Sequence, residues 1–320
     1  MIRNELDAAD IHDSRLREAY RRCRRINAAH GRTFFLATRL LAPDQRPPVH
    51  ALYGFARYAD DILDAVDPGL GMDVRAQRLQ ELSDRFFAGA AQPDHPVLTA
   101  VRHTARRYDI DTELFEDFLT SMRMDLTVTD YPNRDALNGY MRGSAEAIGL
   151  QVLPILGTVV PVAEAAPYAA ALGRAFQLTN FIRDVDEDLA RDRVYLPADE
   201  LAADGVDRDL LMWCHRNRCT DNRVRNALAA QHAITRKTYR FAAAGIALLA
   251  PRSRPCVATA LTLYSEILDC IEDDDFEVFS HRATVGQARR LRVAGAGLIQ
   301  AWRVRNGTRD VSGPAQSGAA

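Results

Sequence analysis

Between residues 172 and 188 the chain sets Gln177, Asn180, Asp184 and Asp188 at spacings of three and four among Leu172, Phe176, Leu178, Phe181, Ile182 and Val185. At about 100° per residue the four polar side chains fall within roughly a quarter of a helix circumference. A helix that is apolar on its other sides belongs inside a bundle, so its carboxylates would face an internal cavity. Buried carboxylates four residues apart repel one another, and they must protonate or meet cations.

A second stripe lies upstream in Tyr53-Gly-Phe-Ala-Arg57-Tyr-Ala-Asp60-Asp61-Ile-Leu-Asp64, where Asp60 and Asp64 project from one helix face that Tyr53 and Arg57 share. A single DxxxD is ordinarily a solvated surface face. Two of them, each beside apolar residues and each with its own arginine, predict instead a pair of acidic faces opposed across a cavity and holding several Mg²⁺ ions. Magnesium takes a few carboxylates and fills its remaining positions with water and phosphate oxygens, so the pattern implies a diphosphate ligand.

The rest of the chain repeats the helical period, with apolar residues three and four apart and no sustained strict alternation of the kind a half-buried strand would give. The class is all-α. Breaks are predicted at Pro43 to Pro48, Asp67-Pro68-Gly69, Gln92-Pro93, Tyr131-Pro132-Asn133, Pro161 to Pro167, Leu196-Pro197 and Pro251 to Pro255. No linker separates the two acidic motifs. The expected organisation is one large helical bundle with a central cavity over residues 1–305, followed by a polar, disordered tail over 306–320.

Composition narrows the function further. With 41 basic and 43 acidic residues the formal charge is −2, which gives no reason to expect a nucleic-acid partner. Every basic residue except Lys237 is arginine, so a P-loop or Schiff-base lysine is excluded and any bound anion must be gripped by arginine or metal. The five cysteines form no CxxC pair, and Cys214-His215 with Cys219 reads as ordinary helix rather than a zinc site. No apolar run approaches a membrane span, and the start Met1-Ile2-Arg3-Asn4-Glu5 is charged, so the expected compartment is the cytoplasm. Arginine clusters at Arg21-Arg22 with Arg24-Arg25, and at Arg289-Arg290 with Arg292, leave peripheral contact with an anionic membrane open.

The stretch Gly173-Arg-Ala-Phe-Gln-Leu-Thr-Asn180-Phe-Ile-Arg-Asp184-Val-Asp-Glu-Asp188, followed by Arg193-Val-Tyr195-Leu-Pro197, resembles the second aspartate-rich signature of the squalene and phytoene synthase family. The first signature of that family is similar to Arg46 through Asp64. Tyr140-Met-Arg-Gly-Ser144-Ala145-Glu-Ala-Ile-Gly149-Leu-Gln-Val-Leu-Pro154 resembles the form found in bacterial phytoene synthases. Shorter matches at His30 to Phe34, Ser121 to Leu126 and Tyr264 to Arg282 carry the resemblance over roughly residues 30 to 290.

This resemblance implies the isoprenoid synthase fold and a head-to-head prenyl transfer. Asp60, Asp64, Asp184 and Asp188, with Asn180, would hold Mg²⁺, for which Mn²⁺ can substitute. Arg57 and Arg282 would contact phosphate oxygens, while Gln177, Tyr53, Tyr140 and Tyr264 line the reaction cavity, and Thr33, Phe34, Ala145 and Gly149 join the substrate-binding set. Phytoene from two geranylgeranyl diphosphates, by way of a cyclopropyl diphosphate, is the implied reaction. The small or polar Thr38 and His50, where thirty-carbon relatives carry aromatics, favour the longer substrate. No dinucleotide fingerprint is present, so NADPH is not expected.

A dehydrosqualene or presqualene diphosphate synthase using farnesyl diphosphate is the alternative enzyme, and an inactive helical binding protein the alternative class. The resemblance leaves monomer and homodimer equally open. Gly31 stands where relatives often carry serine. Glu146 replaces a commonly small residue and is expected to pair with Arg142 four residues before it, outside the cavity.

Overall fold

The computed structural model describes residues 2–63, 71–88 and 95–307. The helices run α1 Ile2–Ala8, α2 Ser14–His30, α3 Arg32–Thr38, α4 Arg46–Leu63, α5 Met72–Phe87, α6 Pro96–Arg107, α7 Glu113–Met124 and α8 Arg134–Met141. After a π-helical turn at Arg142–Glu146 come α9 Ala147–Leu156, α10 Val162–Arg183, α11 Val185–Leu189, α12 Ala198–Ala203, α13 Arg208–Asn217, α14 Asn222–Ala244, α15 Arg254–Asp273 and α16 Gln287–Gly307. Among the described residues there is no strand, only isolated bridges at Asp130–Val194 and Thr158–Leu249. The all-α expectation holds. No described helix is long and apolar enough to cross a membrane.

Local chemistry sets most boundaries. Asp13, Asn133, Asp207 and Asp221 each turn a side-chain oxygen onto a backbone N–H of the first turn of α2, α8, α13 and α14, satisfying a donor that the helix start leaves without a partner. Pro47 and Pro48 sit in the first turn of α4, where a missing N–H costs nothing.

Two expectations need correction. Pro167 does not break a helix: α10 starts at Val162 and runs through it, because Pro167 and Ala163, whose carbonyl it frees, both lie at exposed positions near the N-terminal end, where water can serve that carbonyl. At the other end of the chain α16 runs to Gly307, and residues 308–320, like the breaks expected at residues 67–69 and 92–93, lie outside the described set. The polar stripe of the second motif bends at Asp184 rather than following one helix. The Asp184 backbone sits at φ −102°, ψ 14°, yet Asp184 N–H donates to Asn180 O and Asp188 N–H to Asp184 O, both at 2.8 Å, so the stripe stays in register across the bend.

Two packed groups flank the centre. One gathers around Phe55, Phe86, Phe115 and Phe118, where α4, α5, α6 and α7 meet. The other surrounds Leu178, Phe181, Leu228 and Leu268, where α10 packs along α14 and α15. Between them α9 and the π-helical turn before it lie so close to α10 that a Cβ on Gly149 would stand 2.4 Å from Ala169 O, and one on Gly173 2.3 Å from Ala145 O. A third cluster, including Ala37, Leu41, Leu156, Val257 and Ala260, forms one side of an internal cavity.

Candidate active site

Two chambers adjoin in the middle of the bundle. The first, about 240 Å³, is lined by Asp60, Asp125, Tyr140, Gln177, Arg193 and Tyr195 together with apolar residues of α4 and α7. The second, about 340 Å³, is largely apolar and reaches from Phe34, Tyr53 and Asn180 to Thr38, Leu156, Ala165 and Leu249. Ala56, Ser144, Ile148 and Gln177 line both.

The π-helical turn helps make this junction. Its wider winding inserts a residue into the α8–α9 run and places Ser144 and Ala145 on the cavity side. It also overturns the pairing expected for Glu146, because in a π-turn positions four apart no longer stand above one another. Glu146 is 8% exposed and accepts from Arg174 Nε and Nη2 of α10 at 2.8 and 2.5 Å, whereas Arg142 donates to Asp117 of α7 at 3.0 Å.

Aromatic rings line one side of the apolar chamber. Phe34 lies 5.2 Å from Tyr264, 6.0 Å from Phe176 and 6.4 Å from Tyr53, ring centre to ring centre, and Phe176 lies 4.4 Å from Tyr264. Burial pushes the Tyr264 phenol up to about 12, so it stays neutral. Ring faces of this kind offer negative potential to a cation without a charge that could react with it. Tyr53 also accounts for Gly31: a Cβ there would meet Asn27 Oδ1 at 2.5 Å and the Tyr53 ring at 2.7 Å, so the glycine that replaces serine makes room for the ring.

The second acidic motif is strongly polarised. Burial pushes Asp184 up, but hydrogen bonds from Arg183, at 2.7 and 2.5 Å, and from Arg282, at 2.8 Å, outweigh it and hold the carboxyl below its usual value. Asp188 has no such grip. Burial, and next the charge of Asp184, push it up to about 7. Asp184 and Asp188 line neither chamber, but the phenol of Tyr195, raised mainly by burial and further by Asp188, does line the one that Asp60 lines, and Tyr264 feels Asp184.

The expected residues are distributed as follows. Asp60, Tyr140 and Gln177 line the polar chamber, and Tyr53, Phe34, Ala145, Gly149, Gln177 and Asn180 line the apolar one. Tyr264 sits behind Phe34 and Phe176 rather than on the cavity wall, and Arg57 pairs with Asp61 at 2.6 Å. Thr33 is half-buried and lines neither chamber. His50 is also displaced from the expected deep end: it is buried behind the wall, receives a hydrogen-bond contact from Asn27 Nδ2 at 2.9 Å and stacks on Phe35, while Thr38 does line the cavity. Asp64 lies outside the described residues.

The acidic spacing alone assigns no role to Asp125, Arg193, Tyr195 or Phe176. Asp125, 8% exposed, accepts from the hydroxyls of Tyr140 at 3.0 Å and Tyr195 at 3.2 Å, and Arg193 Nη2 donates to its carbonyl at 2.7 Å. The signal that could find them is the arginine and tyrosine trailing the second motif, since Arg193 and Tyr195 are what bring Asp125 to it.

Among the described residues no three carboxylate, histidine or cysteine side chains converge as a ready-made metal cluster. The donors still suit a hard cation that shares its shell with phosphate. Asn180 Oδ1 is buried without a hydrogen-bond partner, Ser144 Oγ likewise, and at Asp188 the charges of Arg191 and Arg193 only partly offset burial and the neighbouring carboxylate.

Residues 27–289 match the model of the squalene/phytoene synthase family. The chain is 36% identical to a phytoene synthase of Arthrospira platensis over 286 residues, covering 86% of this chain and 90% of that one. It is 34% identical to the chloroplastic phytoene synthase 1 of Zea mays over 307 residues, 93% of this chain and 73% of that one. A dehydrosqualene synthase crystallised with a ligand superposes with a TM-score of 0.76 at 24% identity, covering 92% of this chain and 98% of that one, which shows the shared fold. With two acidic motifs, a divided cavity and a family match over most of its length, the chain belongs to the squalene/phytoene synthase family.

Proposed function

We propose that the chain is a prenyl transferase that joins two geranylgeranyl diphosphates head to head to give phytoene. The observation that carries this reading is the continuity of a carboxylate-lined chamber with an apolar one across Ala56, Ser144, Ile148 and Gln177. Such a cavity accepts a ligand with a charged head and a long hydrocarbon tail. The identity to phytoene synthases over most of the chain supports the same substrate.

Asp60, Asp184, Asp188 and Asn180, with Asp64, would hold Mg²⁺. The metal would neutralise the diphosphate so that it can leave as its allylic carbon becomes cationic. Arg183 and Arg282, both bonded to Asp184, would add two further positive charges there. The rings of Phe34, Tyr53 and Phe176, with Tyr264 packed behind them, would face the cation, and the apolar walls would keep out the water that would quench it. Tyr140 and Tyr195 are held by Asp125 as neutral hydroxyls and define the polar floor without offering a basic group. The second substrate's double bond attacks the cation to form a cyclopropyl diphosphate, whose ionisation, rearrangement and proton loss give the product.

The test is incubation of purified protein and Mg²⁺ with farnesyl and geranylgeranyl diphosphate separately, followed by identification of the lipid. A forty-carbon product, lost with chelator and restored by Mg²⁺, is expected. A thirty-carbon product alone would move the chain to the dehydrosqualene reading, and no product from either would favour a binding protein.

A further inference from the structure

α16 carries two apolar faces, and the bundle uses only one. The inner face is made of small residues, Ala294, Gly297 and Ala301, that let the helix lie close on α15 and on Leu40, just after α3. A Cβ on Gly297 would come within 2.3 Å of Thr259 Oγ1 and 2.9 Å of a Leu40 methyl. On the other side Leu291, Leu298, Ile299 and Trp302 are 67%, 54%, 57% and 64% exposed. At 100° per residue these four occupy about 100° of the circumference, well round from the inner face. Single exposed leucines need no explanation, but a stripe of four large apolar side chains does.

Charge accompanies the stripe. Arg292 and Arg303 are exposed and follow its edge within about 40°. The helix QARRLRVAGAGLIQAWRVRNG contains no acidic residue, and Arg289 is tied to a carboxylate, that of Glu266 on α15. The wall on which α16 rests is that of the cavity: Leu40 and Thr259 neighbour Ala37, Leu41, Val257 and Ala260, which line the apolar chamber.

We propose that the outer face of α16 docks the enzyme on the surface of a bilayer that contains anionic lipid. Leucine and isoleucine would enter the acyl boundary, the Trp302 indole would sit at the headgroup level, and the arginines would meet lipid phosphates. A second copy of the chain fits less well. An isologous contact through this stripe would set Arg292 and Arg303 of both copies together with no acid on the helix to pair them. Four side chains also fall short of the roughly 800 Å² per partner that a stable interface buries. Residues 308–320 offer Val311 as their one large aliphatic side chain, too little to cover the stripe. Why docking belongs here rests on the function proposed above, since a twenty-carbon substrate and a forty-carbon product are themselves bilayer solutes.

The experiment uses the full chain with vesicles of phosphatidylcholine and of phosphatidylcholine mixed with phosphatidylglycerol, read by flotation. Of the two tryptophans, Trp213 is replaced (Trp213→Phe) so that Trp302 reports alone. Flotation with anionic vesicles at low salt and a blue shift of Trp302 emission are expected. Leu298→Gln with Ile299→Gln should weaken partitioning about tenfold or more. Arg292→Gln with Arg303→Gln should weaken it on anionic vesicles and flatten its salt dependence. Absence of flotation at low salt, or a Leu298/Ile299 variant that floats like the parent, overturns the proposal. So does a variant that floats unchanged while shifting a dimer to monomer in sedimentation. Both substitutions are at solvent-exposed positions, and an unchanged Tm confirms that folding is intact. Flotation needs no turnover, so a chain that floats but makes no lipid product refutes the function alone, and an active chain that does not float refutes the docking alone.

Discussion

Arg282 Nε donates to Asp184 Oδ1 at 2.8 Å, tying the segment before α16 to the end of α10 across 98 residues of sequence. Arg183 grips the same carboxylate from the neighbouring position, so the first aspartate of the second motif sits between two guanidinium groups.

In the function proposed above both guanidinium groups serve the diphosphate, so removing one should slow turnover. Arg282→Gln is expected to lower kcat/KM by about 10- to 100-fold. Arg282→Lys should recover only part of the loss, because a lysine keeps the charge but not the planar fork. Steady-state kinetics with each variant checks this, and a kcat/KM within twofold of the parent for Arg282→Gln would remove Arg282 from the site.

The pair of Glu146 with Arg174 predicts a stability effect without a catalytic one. Glu146→Ala leaves Arg174, which is 39% exposed at its side chain, to find water, so the cost should be about 1–2 kcal/mol rather than that of a fully buried pair. Arg142→Ala breaks only a surface contact with Asp117 and should cost less than about 0.5 kcal/mol. Gly143→Ala is the severe change in this turn, since its Cβ would stand 1.9 Å from Asp117 O, and about 3 kcal/mol or failure to fold is expected. Thermal denaturation of the three variants gives the order directly.

Substrate length should respond to Thr38. It is 4% exposed and lines the apolar chamber, with its hydroxyl donating to Phe34 O at 2.7 Å. Thr38→Phe adds a ring to that end and should shift the ratio of kcat/KM for geranylgeranyl over farnesyl diphosphate by about tenfold toward the shorter substrate. Competition between the two diphosphates, with product analysis, measures it; an unchanged ratio would place the tail elsewhere.

His50 predicts an acid sensitivity. Burial, helped by the nearby Arg24 and Arg46, lowers it to about 3 from an ordinary 6.5. Below pH 6.5 the unfolded chain accepts a proton that the folded chain refuses until about pH 3. The unfolded state then binds more protons, so stability is complete above the ordinary value and falls with pH through that window, by up to about 1.4 kcal/mol per pH unit. His95, His103 and His232 are lowered in the same direction by burial and add to the slope. His50→Gln, which can keep the contact with Asn27, should flatten the Tm against pH curve between 6.5 and 4, and a curve as steep as the parent's would assign the slope to the other histidines.

Much of the site was readable because its pieces are local. Gln177, Asn180, Asp184 and Asp188 declare a face by spacing alone, and that register survives the bend at Asp184. Asp125 was not readable as a partner of Tyr140 and Tyr195, because its role depends on contacts made 15 and 70 residues away. The Arg142–Glu146 turn misled for a different reason. Helical spacing assumes the α period, and a single π-turn rotates every side chain after it while leaving the composition unchanged.

The helical class, the placement of most breaks and the two acidic faces follow from the sequence itself, since each depends on side chains within one or two turns and on the cost of burying charge beside apolar neighbours. The division of the cavity into polar and apolar chambers, the partners of Glu146 and Asp184, and the outward apolar stripe of α16 were decided only by tertiary packing. Those features depend on which helix meets which, and the energies that choose among helix faces come from contacts between residues far apart in the chain.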